Sequence, residues 1–260
     1  MMKKILITGA GSYIGTCFAQ YLSQWPEDYT VDAVDMIGDG WKSYDFGGYD
    51  AVYHVAGIAH IRETADNAHL YYEVNRDLAV ATAQKAKDSG VPLFVFLSSM
   101  SVYGLEEGAI TPATAPAPKS HYGISKWEAE QALATLADDS FRVAVLRPPM
   151  VYGDGCKGNY QSLITFAKKL PVFADYKNTR SMLHIDHLSA YAKEVIDTAA
   201  DGLHLPQDPE YVCTCRMIQQ IAADMGKKMP LWKVLNPAVW LLKVATTKGK
   251  KAFGDLYYVK

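Results

Sequence analysis

Short apolar runs alternate with segments of helical periodicity through most of the chain. Each apolar run is long enough for one buried strand, and in order the runs read KKILITGA, YTVDAVDM, YDAVYHVAG, PLFVFLSS and RVAVLRPP. The helical segments between them read YIGTCFAQYLSQ, NAHLYYEVNRDLAVATAQKAKDSG and HYGISKWEAEQALATLA. Strands that are apolar throughout belong to sheets covered on both faces. The alternation therefore predicts an α/β fold with a doubly wound parallel sheet.

The alternation loosens after about Val151, where glycine and proline become frequent. We therefore expect a sheet domain over residues 1–150, with further elements from about 180–196. The remainder, 151–260, is expected to form a small, partly interleaved C-terminal lobe that binds substrate.

The second and third predicted strands are joined by an unusually short segment, GDGWKSYDFGGY. This segment has room for one short strand around residues 41–46 and for no more than a turn of helix after it. We expect a trimmed crossover at this point.

The composition excludes several classes of protein. The net charge is −2 without a sustained basic block, which argues against nucleic-acid binding. The stretch PAVWLLKVATT is about half the length of a bilayer span and carries Lys243, so we expect no membrane span. The four cysteines match no zinc spacing, and we expect reduced thiols, no metal site and a cytoplasmic location.

The first strand leads into a glycine-rich turn, ILITGAGSYIG, which places Gly9, Gly11 and Gly15 before a helix. Glycine at such positions permits a tight turn, close approach of a pyrophosphate and close helix–sheet packing. The N-terminus of the helix then offers N–H groups to the phosphates. Asp35 ends the next strand, where a carboxylate accepts hydrogen bonds from a ribose and repels a 2′-phosphate. The sequence thus predicts a Rossmann-type dinucleotide site that takes NAD rather than NADP.

A second group of polar residues follows the strand PLFVFLSS. Ser99 and Ser101 lie at its carboxyl end, where ligands bind in doubly wound sheets. Tyr122 and Lys126 are one helical turn apart in HYGISK. Free tyrosine has a pKa of about 10, and a nearby ammonium favours its phenolate. The group predicts proton transfer by Tyr122 to or from a hydroxyl held by serine.

Together these motifs resemble the extended short-chain dehydrogenase/reductases, and among them the NAD-dependent nucleotide-sugar epimerases and dehydratases of the UDP-glucose 4-epimerase type. The resemblance covers about residues 4–196. It rests on TGAGSYIG, Asp35, HVAGIAH, VNRDLA, LSSMSVYG, YGISK, LRPPMVYG and RSMLHIDHLSAY.

The resemblance implies a role for each matching residue. The implied catalytic residues are Tyr122 as acid or base, Lys126 as its electrostatic partner and Ser99 as the holder of the substrate oxygen. The implied cofactor contacts are Gly9, Gly11, Ser12, Tyr13, Ile14, Gly15, Asp35, Asp45, Phe46, Ala56, Gly57, Asn75, Tyr122, Lys126 and Pro148, with His60 in the same loop as Gly57. The implied substrate contacts are Ser99, Ser101, Asn159 and Arg180.

The sequence departs from the family pattern at two of these motifs. Ser12 stands where the family has its middle glycine, so the turn is shifted or reshaped. Met150 stands where asparagine is frequent, which removes one expected substrate contact. These departures bear on the substrate more than on the cofactor.

The implied activity is epimerisation of a nucleotide-activated sugar, of the UDP-hexose 4-epimerase type, through a transient 4-keto intermediate. A 4,6-dehydratase is disfavoured because Met100 and Ser101 stand where resembling dehydratases have acids. A one-way NAD(P)-dependent reductase stays open, and a non-catalytic NAD-sensing protein would not need the serine, tyrosine and lysine. The resemblance also implies a homodimer.

Overall fold

The computed structural model describes residues 2–59, 61, 63–156 and 158–260, with residue 248 described by its backbone alone. The strands are β1 (Lys3–Thr8), β2 (Tyr29–Val34), β3 (Ala51–His54), β4 (Leu93–Leu97), β5 (Gly108–Ile110), β6 (Arg142–Leu146), β7 (Met150–Tyr152), β8 (Phe173–Ala174), β9 (Met182–His184), β10 (Gly202–His204), β11 (Leu231–Trp232) and β12 (Leu256–Tyr258). The helices are α1 (Tyr13–Leu22), α2 (Gly40–Ser43), α3 (Ala68–Tyr72), α4 (Leu78–Asp88), α5 (His121–Ala134), α6 (Asn159–Lys169), α7 (Ile185–Thr198), α8 (Thr214–Asp224), α9 (Asn236–Ala245) and α10 (Thr247–Phe253). Short 3₁₀ turns cover Ala65–Asn67, Met100–Tyr103 and Lys233–Leu235, and a π-helical turn covers Glu73–Asp77.

A six-stranded parallel sheet forms the centre of the fold, in the order β10-β6-β4-β3-β1-β2. Its two central strands, β3 and β4, are fully buried, as their largely apolar sequences require. All six strands run in one direction. The segments that follow β1, β2, β3, β4 and β6 therefore all begin at the carboxyl ends of the strands, on the same side of the sheet. The predicted doubly wound parallel α/β fold is confirmed.

The chain divides into two compact units. The first comprises residues 1–104, 116–148 and 184–206, and it holds the six-stranded sheet. The second comprises residues 105–115, 149–183 and 207–260. It is built around a core that includes Leu163, Phe173, Ile218, Val239 and Phe253.

The short connection after β2 contains a helix instead of the strand predicted around residues 41–46. Trp41 lies in the four-residue helix α2, and it is buried in the core. Asp45 then makes a tight turn in which its side chain accepts the Gly47 N–H at 2.8 Å. The prediction of a strand was wrong, because the helix that buries Trp41 and the turn at Asp45 occupy the residues that the strand would need. As a result β2 forms the edge of the sheet.

Among the described residues, no helix combines the length and apolar character needed to cross a bilayer. The predicted apolar segment near the C-terminus is the ten-residue helix α9 of the second unit.

Candidate functional site

The glycine turn connects β1 to α1 and has the conformation that its sequence predicts. Gly9 has φ +118°, and a Cβ there would lie 2.9 Å from the Ala56 nitrogen. Gly11 has φ +73° with open space around it. Ser12 is the N-cap of α1, and its Oγ accepts the Gly15 N–H at 3.2 Å. The serine at the family's glycine position therefore caps the helix and leaves the turn open to a ligand.

Tyr13 and Ile14 form the first turn of α1, directly after this cap. Gly15 packs this helix against the sheet, since a Cβ there would lie 2.9 Å from Ile7 Cγ2 and 3.1 Å from Val55 Cγ2. Because the N–H groups of a first turn have no intrahelical acceptors, this end of α1 is suited to a phosphate.

Asp35 and Asp45 present exposed carboxylates in the segment that follows β2. Asp35 Oδ1 accepts the Ile37 N–H at 3.0 Å, which fixes the side chain beyond the strand end. Phe46 is different, because its side chain is 1% exposed and packs in the core with Trp41. Its phenyl ring therefore serves the core of the first unit.

The loop after β3 is held by one amide side chain. Asn75 lies in the π-helical turn, and its Oδ1 accepts the Ile58 N–H at 2.8 Å. Its Nδ2 donates to the Ile58 carbonyl at 3.0 Å and to Ser125 Oγ at 3.2 Å. A Cβ at Gly57 would lie 2.9 Å from Asn75 Oδ1 and 3.3 Å from Lys126 Nζ. Asn75 thus fixes this loop against α5, beside Lys126. His60 lies outside the described residues.

The hydroxyls of Ser99 and Tyr122 are brought together as the sequence predicts. Ser99 follows β4, Tyr122 lies in the first turn of α5, and the Ser99 side chain is close enough to act on the pKa of the phenol. Ser99 Oγ also contacts Ser101 Oγ at 3.2 Å and accepts the Ser101 N–H at 3.1 Å. A substrate hydroxyl at this position would meet both a hydrogen-bonding serine and a phenol.

Lys126 is buried one helical turn beyond Tyr122. Its ammonium donates to the Leu97 carbonyl at 2.8 Å and lies 4.6 Å from the centre of the Phe96 ring. Burial lowers its pKa from 10.5 to about 8, while the carboxylate of Glu130 acts to raise it. The lysine is therefore charged at neutral pH and begins to lose its proton in mildly alkaline solution.

The pKa of Tyr122 is raised above its ordinary value of 10. Burial is the main cause, and the hydrogen bond from Ser99 acts in the opposite direction. The phenol is thus protonated at neutral pH, in contrast to the lowering that the Tyr–Lys spacing suggests. The Lys126 ammonium is directed to the Leu97 carbonyl, so burial dominates.

Three charged residues around Tyr122 and Lys126 were not identified from the sequence. Glu63 accepts the N–H of His121 at 3.3 Å and of Tyr122 at 3.1 Å, so it fixes the start of α5. Glu130 and Arg147 form an ion pair at 2.5 Å, with side chains 5% and 6% exposed. The spacing of Lys126 and Glu130, four residues apart in KWEAE, could have indicated that Glu130 lies beside Lys126 on one face of the helix.

Around this pair, Glu130 accepts a hydrogen bond from Ser98 Oγ, and Arg147 donates to Tyr103 Oη at 2.8 Å. Pro148 follows Arg147 and is buried, and its carbonyl accepts the Met100 N–H at 2.9 Å. The end of β4 that carries Ser99 is therefore fixed to α5 and to the end of β6.

The remaining predicted substrate residues belong to the second unit. Asn159 is exposed and begins α6. Arg180 is half-buried, and its guanidinium donates to the Gly254 carbonyl at 3.0 Å.

The chain also matches a known protein family. The profile of the NAD dependent epimerase/dehydratase family matches residues 5–204, which include the glycine turn, Ser99, Tyr122 and Lys126. The chain belongs to this family. It is therefore an NAD-dependent enzyme of the extended short-chain dehydrogenase/reductase type.

Relatives with known names agree with this membership. A UDP-glucose 4-epimerase of Vibrio cholerae is 34% identical over 94% of this chain and 81% of its own length. An Escherichia coli O157:H7 relative, N-acetyl-alpha-D-glucosaminyl-diphospho-ditrans,octacis-undecaprenol 4-epimerase, is 24% identical over 88% of this chain and 75% of its own. A structure of UDP-glucuronic acid 4-epimerase from Bacillus cereus in complex with NAD has a TM-score of 0.73, 21% identity and 96% coverage of both chains. That likeness shows the fold.

The first unit fits the cofactor of this family. Gly9 and Gly11 have backbone conformations that side chains rarely adopt, and the space around Gly11 is open. We propose that this turn holds the pyrophosphate, that Asp35 holds the adenosine ribose, and that Lys126 holds the nicotinamide ribose.

We expect the Asp35 carboxylate to determine the choice between NAD and NADP. In NADP a phosphate of about −2 charge would face it. Lys42, the single cation between residues 36 and 53, is paired with Asp39 at 2.7 Å. Binding titrations should therefore show a clear preference for NAD, and Asp35→Asn, which retains an acceptor for the Ile37 N–H, should lose much of it.

Asp28→Asn provides the matched control, since Asp28 is an exposed carboxylate just before β2, at the amino end of the strand that Asp35 follows. It should keep the wild-type preference. Equal or tighter binding of NADP by the wild-type protein would refute this role for Asp35.

Proposed function

We propose that this protein is an NAD-dependent epimerase that inverts C4 of a nucleotide-activated hexose, with a UDP-hexose as substrate. The observation that carries the proposal is the placement of Ser99 after β4 beside the Tyr122 phenol at the start of α5, with Lys126 buried one helical turn further along that helix. The names of the two relatives support the substrate class, because each describes 4-epimerisation, and the Escherichia coli name describes a sugar joined to a diphosphate.

The residues divide the chemistry between them. Ser99 holds the C4 oxygen of the sugar, and Tyr122, once ionised to its phenolate, takes the proton of that hydroxyl and later returns it as the phenol. When bound, NAD would supply reversible hydride acceptance at C4, which permits passage through the 4-keto sugar. The Lys126 ammonium favours this phenolate form of Tyr122, against burial, which raises the pKa of the phenol.

The substrate diphosphate needs cationic and polar partners. We propose Arg180 and Asn159 for this role, with Ser101 as a further contact to the sugar. Burial lowers the pKa of Arg180 from its ordinary value of 12.5, yet the guanidinium stays charged because acids nearby act to raise it.

The alternative activities are those of a 4,6-dehydratase and of a one-way reductase. Elimination by a 4,6-dehydratase needs additional acids, whereas Met100 is buried and Ser101 is a neutral hydroxyl. A one-way reductase would use the same serine, tyrosine and lysine, and it is separated from an epimerase by the fate of the hydride.

The test is a screen of UDP-, dTDP- and GDP-hexoses with the NAD-loaded protein. We expect a 4-epimer to form from a UDP-hexose without accumulation of NADH, because the hydride is returned. Absorbance of NADH and chromatography of the sugar nucleotides follow both quantities. NADH released in step with product, or a stable 4-keto-6-deoxy sugar, would contradict epimerisation.

A further inference from the structure

Helix α9 of the second unit has its apolar side facing outward. Val239 is 9% exposed and packs into the core of that unit, whereas Trp240, Leu241 and Val244 are 56%, 60% and 56% exposed. The single charged residue of the helix, Lys243, lies on the inner side, where it pairs with Glu107 at 2.5 Å. A helix on a water-exposed surface normally has the reverse arrangement.

The residues before α9 extend this exposed apolar region. Trp232 and Val234 are 50% and 76% exposed. Lys233, Pro237 and Trp240 line one open groove, so these residues are close together in space. We call the exposed side chains of Trp232, Val234, Trp240, Leu241 and Val244 the outer apolar face.

Helix α10 packs closely against the end of α9. A Cβ at Gly249 would lie 2.1 Å from the Leu242 carbonyl oxygen and 2.8 Å from the Lys243 nitrogen, so only glycine permits this approach. The backbone of α10, which carries Lys250 and Lys251, is thereby held against the C-terminal end of α9.

The segment from residue 225 to 254 is strongly basic. It contains seven lysines and no aspartate or glutamate, in a chain whose net charge is −2. The lysines are Lys227, Lys228, Lys233, Lys243, Lys248, Lys250 and Lys251. Lys243 and Lys251 pair with Glu107 and Glu106. Lys228, Lys233 and Lys250 have no ion-pair partner within the described ranges.

We propose that the outer apolar face docks on an anionic lipid bilayer, with lysines of the same basic segment at the headgroups. An interfacial helix combines aromatic and aliphatic side chains, which enter the headgroup boundary, with basic residues, which attract anionic lipid. The face has both components, and the charge of the segment is complementary to such a surface. The docking is peripheral, since α9 has ten residues.

The experiment uses flotation of the full-length protein with vesicles of phosphatidylcholine alone and of phosphatidylcholine mixed with phosphatidylglycerol. We expect binding to the mixed vesicles, weaker binding at high salt and little binding to phosphatidylcholine alone. Trp240→Glu should reduce binding roughly tenfold or more, because it places a charge in the inserted face. The triple change of Lys228, Lys233 and Lys250 to Gln should reduce it roughly a hundredfold.

Leu203→Glu is the matched control, because Leu203 is an apolar residue of β10 in the first unit with a similar exposure of 52%. It should bind vesicles as the wild type does. Epimerisation of a soluble sugar nucleotide by Trp240→Glu should match the wild type, which shows that the variant is folded; this readout depends on the proposed function, and vesicle binding does not.

Failure of the wild-type protein to bind mixed vesicles, or equal binding by Trp240→Glu, would overturn the proposal. Light scattering tests the competing occupant, a second copy of the chain. If the wild type is a dimer that does not bind vesicles and Trp240→Glu is a monomer, the face is a contact between copies and the proposal is wrong.

Discussion

Tyr122→Phe should lower turnover roughly 10²–10⁴-fold, the usual loss when a positioned acid–base group is removed. The phenol lies beside Ser99 and is the ionisable group of these two hydroxyls. Phenylalanine retains the ring, so folding and cofactor binding should change little. Steady-state kinetics with a UDP-hexose, with NAD binding measured in parallel, tests the expectation.

Tyr71→Phe is the matched control for this loss. The Tyr71 ring lies 6.4 Å from the Tyr122 ring, and its hydroxyl donates to the Ile61 carbonyl at 3.0 Å. Removal of that hydroxyl should leave turnover within a few-fold of the wild type. Turnover of Tyr122→Phe at the level of Tyr71→Phe would remove Tyr122 from the mechanism.

The sequence was sufficient to predict the sheet because its central strands are largely apolar. A continuous apolar run such as that of β4, LFVFL, can be buried only when both faces of the sheet are covered. Glycines with positive φ in the turn after β1 were equally predictable, because other residues rarely adopt that conformation.

The segment after β2 could not be predicted in the same way. Its twelve residues have no period, and the outcome depends on where the Trp41 indole is buried, which is a tertiary contact. Phe46 illustrates the same limit, since the resemblance implies that it contacts the cofactor whereas its ring lies in the core.

The electrostatics of the site were the least predictable part. The spacing of Tyr122 and Lys126 indicates that they share a helix face, but it contains no information about burial. Burial raises the pKa of the phenol and lowers that of the ammonium. The Glu130–Arg147 pair joins α5 to the end of β6, and that contact is visible only after folding.

Glu130→Gln should have the second large effect, on both stability and pH dependence. Breaking a buried ion pair leaves Arg147 without its counter-charge, which costs about 3–5 kcal/mol of unfolding free energy. Chemical denaturation measures this loss. Replacement of both partners, Glu130→Leu with Arg147→Met, should recover most of it, because no buried charge is then left unpaired.

The pH effect follows from the position of Glu130 relative to Lys126. The Glu130 carboxylate raises the pKa of Lys126, against burial that lowers it to about 8. Lys126 is protonated below that pH and loses its charge above it, so kcat/KM should fall on the alkaline side near 8. In Glu130→Gln the pKa of Lys126 is lower still, and the alkaline fall should move to lower pH.

A neighbouring carboxylate on the same helix separates this effect from a general loss of charge. Glu128 pairs with Arg76 at 2.7 Å at the surface, with side chains 38% and 36% exposed. Glu128→Gln should therefore cost at most about 1 kcal/mol and leave the pH profile unchanged. If Glu130→Gln matches Glu128→Gln in both unfolding and pH profile at saturating NAD, the buried pair does not maintain the charge of Lys126. A shift of the alkaline fall in Glu130→Gln alone would establish Glu130 as a positioning residue that acts through Lys126.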